Sequence, residues 1–207
     1  MKVCKFGGTS MANASTIKRV VNIIEDDPSR KYIVVSAPGK RNSADVKVTD
    51  ALYACFNEVQ KTGNCDSTFL TVSKRFQEIV NELGVDVDLD KNLKVIKEGI
   101  EASKTPDYAA SRGEYLSAKI LAAKLGYDFV DADEIIKFND QGELLLDYSL
   151  DAVKAKLSKL DHAVIPGFYG AMPDGRIRTF SRGGSDITGA LAAAALDANV
   201  YENWTDV

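Results

Sequence analysis

Short apolar runs alternate along the chain with longer stretches in which apolar residues recur every three or four positions. The short runs are typical of β-strands, and the longer stretches are typical of amphipathic helices. The runs that predict strands are Lys2–Phe6, Tyr32–Ser36, Tyr127–Val130, His162–Ile165 and Val200–Trp204. The stretches that predict helices are Ser15–Asp26, Thr49–Lys61, Ser67–Leu83, Leu89–Ala102, Asp107–Leu125, Leu150–Leu160 and Ser185–Leu196.

The predicted strands are almost wholly apolar. A run such as Tyr32–Ser36, with the sequence YIVVS, has no polar face, which suits a sheet covered by helices on both sides. Strands that alternate with helices in this way are joined by crossovers and run parallel. The pattern therefore predicts an α/β protein with a mainly parallel sheet. Residues 64–106 differ, because they carry two consecutive helices with no strand between them, and they predict a helical insertion that forms a side lobe.

Two turn signals lie in the second half of the chain. Asn139–Gly142 separates the strand-compatible runs Glu134–Phe138 and Glu143–Leu146, which predicts a β-hairpin attached to the main sheet. Met172–Gly175 is a second turn and leads into Arg176–Phe180.

The composition excludes several classes of protein. With 45% hydrophobic residues and only 5 prolines in 207, the chain has too much to bury to be disordered or collagen-like. Its 26 basic and 30 acidic residues give a net charge of −4, so it lacks the broad positive field that nucleic acids or anionic membranes attract. We therefore expect no nucleic-acid partner.

The cysteines and the sole histidine indicate neither a disulfide framework nor a metal site. Cys4, Cys55 and Cys65 are widely spaced with no C-x-x-C pair, and His162 has no second histidine to help it hold a metal. No apolar run approaches the roughly 18 residues of a membrane span, and the N-terminus lacks the apolar stretch of a signal peptide. We expect a cytoplasmic protein with no protein-held metal and no membrane partner.

The first candidate site follows the first predicted strand, in the sequence KFGGTS. Lys5 precedes the glycines Gly7 and Gly8, and two hydroxyl residues, Thr9 and Ser10, come next. Glycine amides, hydroxyls and a following helix N-terminus suit a phosphate group. The segment is not a P-loop, because there the lysine follows the glycines. The residues alone leave phosphate binding and a plain tight turn open.

The second candidate site is the segment SRGGSDIT, which opens a helix of small residues. Arg182 offers a planar fork for a carboxylate or phosphate, and Gly183 and Gly184 expose their amides. Asp186, in the first helical turn, suits the orientation of a lysine or metal, and a helix-capping role is the alternative. Two anion-receiving loops in one chain suggest a place where two anionic molecules meet, as in a kinase.

Two further segments are weak signals by themselves. Glu114, at the end of the sequence SRGE, is an acid in the first part of a predicted helix and is suited to hold an ammonium group. The strand that ends VVSAPGK brings Ser36 to a turn, and the following KVTD brings Thr49 to the start of a helix.

Taken together, these segments resemble the aspartokinase branch of the amino-acid kinase family, in order and along nearly the whole chain. The matching motifs are KFGGTS, VVSAPGK with KVTD, SRGE, PGFYGA, FSRGGSDITGA and NWTDV. The resemblance implies a three-layer αβα sandwich of the carbamate kinase-like type. It also implies transfer of the γ-phosphoryl group of ATP to the side-chain carboxylate of L-aspartate, the first step towards lysine, threonine and methionine, with Mg²⁺ held mainly through the nucleotide phosphates.

The resemblance also implies roles for the residues in these motifs. Lys5 would neutralise the transferring phosphoryl group, and Asp186 would order Lys5 and the metal-phosphate geometry, so both are expected to face one cleft. Arg182 would bind the α-carboxylate of aspartate and Glu114 its α-ammonium. The residues expected to add hydrogen bonds to aspartate are Ser36, Thr49 and Ser185. The residues expected at the nucleotide, besides Lys5, are Gly7, Gly8, Thr9, Ser10, Gly184, Thr205 and Asp206.

The reaction agrees with the residues available. The side-chain carboxylate of free aspartate, with a pKa of about 3.9, is already ionised at neutral pH, so no general base is needed. The obstacle is repulsion from the triphosphate, roughly 4 kcal/mol at about 4 Å and an effective dielectric of about 20, which cations and amide dipoles offset. Related kinases act on glutamate, acetylglutamate, carbamate or nucleotides, and one methylene separates substrates by only about 1–3 kcal/mol. A silent scaffold would carry a broken motif, whereas Lys5, Arg182, Asp186 and Glu114 are all present.

The resemblance further implies that residues 1–207 are the N-terminal part of a catalytic domain. The remainder of the nucleotide lobe and the regulatory ACT domains would be absent from this truncated chain. We expect these residues alone to be inactive or nearly so, and the full-length protein to be a homo-oligomer.

Overall fold

A five-stranded sheet forms the centre of the computed structural model, which describes residues 1–207. The strands of this sheet are β1 (Lys2–Phe6), β2 (Arg30–Val35), β3 (Asp128–Phe129), β4 (Ala163–Pro166) and β7 (Val200–Trp204). Their order is β3-β4-β2-β1-β7, and every neighbouring pair is parallel. A separate antiparallel pair is formed by β5 (Tyr169–Ala171) and β6 (Ile177–Thr179). The helices are α1 (Ala14–Glu25), α2 (Val48–Thr62), α3 (Asp66–Leu83), α4 (Leu89–Ala102), α5 (Asp107–Leu125), α6 (Ala132–Ile135), α7 (Leu146–Leu157) and α8 (Gly184–Ala195).

Successive residues of the central strands β1, β2 and β4 belong to two different cores. In β1, Cys4 and Phe6 join a cluster of 34 buried residues that includes the apolar faces of α1 to α5. Val3 joins a second cluster of 16 buried residues, which includes side chains of α7 and α8. Because side chains of a strand alternate between faces, helices cover both sides of the sheet. The expected three-layer αβα sandwich with a parallel sheet is confirmed.

The helices next to the candidate loops start and pack for local reasons. Asn13 caps α1 through a reciprocal capping box with Thr16, which fixes where the loop after β1 ends. Gly183 precedes α8 with a φ of +59°, a left-handed conformation that glycine adopts without strain. Within α8, a Cβ on Gly189 would lie 2.4 Å from the Tyr201 hydroxyl oxygen. The small residues of α8 therefore let this helix approach β7 closely.

Residues 64–106 contain the consecutive helices α3 and α4. Their apolar side chains, such as Phe76 and Ile96, belong to the same large cluster as α2 and α5. Both helices pack on α2 and α5, and α3 also packs on α1. This region thus lies outside the first helical layer and shares its core.

The predicted hairpin over Glu134–Phe138 and Glu143–Leu146 is wrong in its extent. The Asp131 side chain accepts a hydrogen bond from Asp133 N and so caps the short helix α6, which takes up the first residues of the predicted strand. Leu146 begins α7, and only Phe138 and Leu144 form an antiparallel bridge.

The placement of this hairpin on the main sheet is also wrong. Phe138 N donates to Ala171 O at 2.9 Å, and Ala171 N donates to Ile136 O at 2.9 Å, so the segment attaches to β5. Strand β5 comes from the sequence GFYGA, and Gly170 makes the approach possible, since a Cβ there would lie 2.3 Å from Ile136 O. The close backbone contact at Gly170 thus pairs this segment with β5 instead of with a strand of the main sheet.

Candidate active site

The loops that follow β1, β2, β4 and β7 lie side by side at the carboxyl edge of the sheet. Backbone hydrogen bonds continue between them past the strand ends: Gly7 N donates to Trp204 O at 3.1 Å, and Ser36 N donates to Phe6 O at 3.1 Å. Gly167 N donates to Val35 O at 3.0 Å. In open parallel sheets this edge is where ligands bind.

The loops after β1 and β2 touch through two glycines. Gly39 N donates to Gly8 O at 2.7 Å, and a Cβ added to Gly39 would lie 2.8 Å from the Gly8 carbonyl carbon. A Cβ on Gly8 would lie 3.0 Å from Ala37 O. Glycine is therefore required at position 39 by the close approach of two backbones.

Lys5 and Asp186 meet at the same edge. Lys5 shares a strand face with Val3, the face covered by α8, and its Nζ lies 2.8 Å from Asp186 Oδ1 in the first turn of that helix. Asn203 on β7 donates from Nδ2 to the same oxygen at 3.1 Å, and the Tyr201 hydroxyl donates to Asp186 O at 3.2 Å. The expectation that Lys5 and Asp186 face each other agrees with this geometry.

A cleft of about 630 Å³ opens beside this pair, a size typical of small-molecule sites. The predicted residues that line it are Gly7, Gly8, Thr9, Ser36, Thr49, Glu114, Thr205 and Asp206. The other lining residues are Ala37, Pro38, Gly39, Lys40 and Lys47. The motifs KFGGTS, VVSAPGK, KVTD, SRGE and WTD thus contribute to one cavity.

Glu114 is a buried acid that lines the cleft. It is 5% exposed, and its Oε2 has no hydrogen-bond partner. Burial raises the pKa of Glu114 to about 8, against the opposing effects of the Ala37 backbone and the Arg112 guanidinium. Helix α5 comes this close because residue 113 is glycine, where a Cβ would lie 2.6 Å from the Ala37 Cβ. A buried acid with a free oxygen is well suited to an ammonium ligand.

The rim of the cleft joins the first loop to the last residues of the chain. The Thr9 hydroxyl donates to Asp206 Oδ1 at 2.7 Å. Asp206 has a φ of +53°, and both residues are exposed. The predicted nucleotide residues Thr9 and Asp206 are therefore in direct contact.

The structure does not bring every predicted residue into this cleft. Lys5, Gly184, Ser185 and Asp186 do not line it, and Arg182 is exposed on the loop before α8. Ser185 is buried against Gly167, and Gly184 against Phe168. The roles of these residues in substrate binding stay predictions.

Ser10 differs from the other residues of its motif. It is fully buried, its hydroxyl has no hydrogen-bond partner, and its backbone N–H donates to Gly7 O at 3.1 Å. Ser10 is not among the residues that line the cleft, and its role at the nucleotide stays a prediction. The turn places Ser10 on the core side of the loop.

Sequence reasoning missed other residues near the site. Lys40 and Lys47 line the cleft, and Asn203 holds Asp186, although all three lie within motifs that the sequence singled out. For Lys40 and Lys47, the available signal was their position, one at each end of the segment between β2 and α2. For Asn203, the signal was its place on a strand beside β1, which only the sheet order reveals.

The fold and the site define an αβα protein with a small-molecule-sized cleft, lined by two glycine loops, at the carboxyl edge of a parallel sheet. The chain belongs to the amino acid kinase family, whose model matches residues 1–207. No helix in these residues is both long enough and apolar enough to cross a membrane.

Similar proteins within the family are aspartokinases. Aspartokinase 3 of Bacillus subtilis is 37% identical over 222 residues, which cover 100% of this chain and 49% of that protein. Lysine-sensitive aspartokinase 3 of Escherichia coli is 28% identical over 99% of this chain and 49% of its own length. This chain therefore spans about half the length of these relatives.

The chain is also similar to solved structures of aspartate kinases. The aspartate kinase of Clostridium acetobutylicum superposes with a TM-score of 0.96 and 47% identity, covering 100% of this chain and 48% of that one. The E. coli aspartokinase III in complex with aspartate and ADP superposes with a TM-score of 0.84 and 25% identity, covering 100% and 49%.

Proposed function

We propose that the protein containing this chain is an aspartate kinase, which transfers the γ-phosphoryl group of ATP to the side-chain carboxylate of L-aspartate. The observation that carries the proposal is the Lys5–Asp186 pair at 2.8 Å, beside the glycine loops at the carboxyl edge of the sheet. The similarity of the chain to aspartokinases, one of which was solved with aspartate and ADP, supports aspartate kinase over the other kinases of the family.

The nucleotide phosphates would bind where the first loop lines the cleft. Gly7 and Gly8 present backbone there without side chains, and Thr9 and Asp206 form the rim. No group of three or more His, Cys, Asp or Glu residues is arranged to hold a metal ion in residues 1–207. A Mg²⁺ ion would take most of its ligands from the nucleotide phosphates, and Asp186 and Asp206 are the carboxylates that would hold it on the protein side. When bound, Mg²⁺ would neutralise part of the phosphate charge.

The aspartate would bind on the side of the cleft formed by α2, α5 and the loop after β2. Glu114 would pair with its α-ammonium, and Ser36 and Thr49, both half-buried on the cleft wall, would donate hydrogen bonds. Arg182 is exposed and free to turn towards the α-carboxylate, with Ser185 close behind it. These contacts would hold the side-chain carboxylate towards the phosphate site, which lowers the entropic part of the barrier.

The chemical step needs charge compensation more than proton transfer. One oxygen of the ionised aspartate side chain would form a bond to the γ-phosphorus, and the bond between that phosphorus and the bridging oxygen would break, releasing ADP. Lys5 would stabilise charge on the transferring group, while Asp186, whose carboxylate accepts a hydrogen bond from the Asn203 amide, holds the Lys5 ammonium in place. The product would be 4-phospho-L-aspartate.

The proposal extends to the organisation of the whole protein. Residues 1–207 would form the N-terminal part of the kinase domain, since the relatives are about twice as long. A cytoplasmic location agrees with Cys4, Cys55 and Cys65, all buried free thiols. Assembly as a homo-oligomer completes the proposal for the full-length protein.

The test is phosphorylation by the complete gene product. With ATP and Mg²⁺, the protein is incubated with aspartate, glutamate or homoserine, and the acyl phosphate is trapped with hydroxylamine. We expect a hydroxamate with aspartate and little with glutamate, while homoserine, which lacks a side-chain carboxylate, gives none. No aspartyl hydroxamate from a folded protein would refute the proposal.

A further inference from the structure

Arg75 lies on α3, outside the site, yet its guanidinium contacts three segments that build the site. Nη1 donates to Ala12 O at 3.2 Å and to Gly39 O at 3.0 Å. Nη2 donates to Val46 O at 3.2 Å and forms an ion pair with Asp45. Arg75 is 6% exposed, so these contacts are shielded from water. A buried guanidinium that serves several backbone carbonyls joins them more firmly than a surface ion pair would.

The first two carbonyls belong to the two glycine loops. Ala12 ends the loop that carries Gly7 and Gly8, and Gly39 is the residue whose N–H donates to Gly8 O. A single nitrogen, Nη1 of Arg75, therefore connects both loops at a point where no side chain fits between their backbones. Loss of this connection would allow the loops to separate without any change in the residues that line the cleft.

The remaining contacts fix the segment between β2 and α2. Asp45 pairs with Arg75 and also with Arg41, whose hydrogen bond holds the pKa of the Asp45 carboxyl well below its usual range. Val46, whose carbonyl Arg75 binds, immediately precedes Lys47. Lys40 and Lys47, at the two ends of this segment, are exposed and line the cleft. Arg75 thus fixes the position of the segment between β2 and α2, whose two lysines line the cleft.

We propose that Arg75 is a positioning residue for phosphoryl transfer, holding the two glycine loops together and keeping Lys40 and Lys47 directed at the nucleotide phosphates. This inference rests on the proposed function. Arg75 itself touches no substrate, and acts through Gly39 and Lys47. The lysines would offset part of the charge of the triphosphate.

The test compares Arg75→Met and Arg75→Lys with Arg41→Met in the full-length protein. Arg41 is the matched control, because it also binds Asp45 but contacts no carbonyl of the glycine loops, and its side chain is 38% exposed. For Arg75→Met we expect turnover to fall about 10-fold or more and the affinity for Mg·ADP, measured by calorimetry, to fall several-fold. Arg75→Lys should retain more turnover and Mg·ADP affinity than Arg75→Met but less than the unmodified protein, since an ammonium cannot span the four acceptors. Arg41→Met should change neither by more than about twofold.

A double-mutant cycle separates positioning from general destabilisation. If Arg75 acts through Lys47, then Arg75→Met and Lys47→Met weaken Mg·ADP binding by less together than the product of their separate effects. Purely multiplicative effects in folded variants, or unchanged nucleotide affinity and turnover in Arg75→Met, would overturn the inference. If Arg75→Met does not fold, Arg75→Lys is judged by the same criteria. Nucleotide affinity is measured without aspartate, so failure of this inference is distinguishable from failure of the aspartate kinase assignment.

Discussion

Lys5 and Asp186 form an ion pair with very unequal access to water. The Lys5 side chain is 9% exposed and the Asp186 side chain is 51% exposed, with 2.8 Å between Nζ and Oδ1. The strand holds the ammonium inside, while the helix presents the carboxylate at the surface. A buried cation with one solvent-facing partner can attract a second anion from the cleft without leaving its place. This asymmetry suits a group that stabilises a transferring phosphate.

The first prediction concerns the charge of Lys5. Lys5→Met keeps most of the side-chain volume and removes the ammonium, and we expect turnover of the full-length protein to fall on the order of 100-fold or more. Lys2→Met is the matched control, because Lys2 lies at the amino end of the same strand and pairs with Asp27 and Glu202. The turnover of both variants is measured by steady-state kinetics with aspartate and ATP. A loss below tenfold in a folded Lys5→Met protein would remove Lys5 from its assigned role.

A second prediction concerns the geometry of Arg182. Arg182→Lys retains the positive charge but loses the planar fork that binds a carboxylate through two hydrogen bonds. We expect the KM for aspartate to rise while the KM for ATP changes little. Arg178→Lys is the control, since Arg178 is also exposed but lies on β6, near Asp107. Unchanged saturation by aspartate would show that Arg182 does not contact the α-carboxylate.

Local patterns along the chain were enough to predict the layers of the fold, but not the contacts between distant segments. Lys5 could be singled out, because the glycine motif that contains it is made of neighbouring residues. Arg75 could not, because its acceptors lie at positions 12, 39, 45 and 46, and only the packing of α3 brings them together. The hairpin failed for a related reason: contact between Ile136 and Gly170 decides where that segment pairs. Burial of Ser10 likewise depends on which way the turn faces.

The third prediction concerns the contact between the two glycine loops. In Gly39→Ala, the new methyl group meets backbone atoms of Gly8 and Thr9 at 2.8–3.0 Å, and backbone cannot move aside as a flexible side chain can. We expect a loss of stability of about 1–3 kcal/mol and a larger loss of activity, because both loops line the cleft. Thermal unfolding and turnover are measured together.

Gly7→Ala is the steric control for this substitution. A Cβ at position 7 would meet its nearest atoms, Lys5 Nζ and Trp204 O, at 3.7 Å, an ordinary contact. Its melting temperature should therefore stay close to that of the unmodified protein. Equal destabilisation by the two alanines would contradict the packing argument.

The last prediction concerns the pH dependence that Glu114 confers. Its pKa is raised from an ordinary 4.5 to about 8, so between these values the folded, unliganded protein retains a proton that the unfolded chain releases. Stability from this group is therefore greatest at low pH and is lost as pH rises towards and through about 8. Glu114→Gln cannot ionise, so the stability of the variant relative to the unmodified protein should increase between pH 6 and pH 9.

Aspartate should act in the opposite direction, because its α-ammonium favours the ionised form of Glu114. We expect aspartate binding to release a proton near pH 7, seen as a binding enthalpy that varies with the ionisation enthalpy of the buffer. The increase in melting temperature caused by aspartate should also become larger from pH 6 to pH 8. This dependence on pH should be absent in Glu114→Gln. Parallel stability profiles for the two proteins, together with a buffer-independent enthalpy, would show that Glu114 is ionised before aspartate binds.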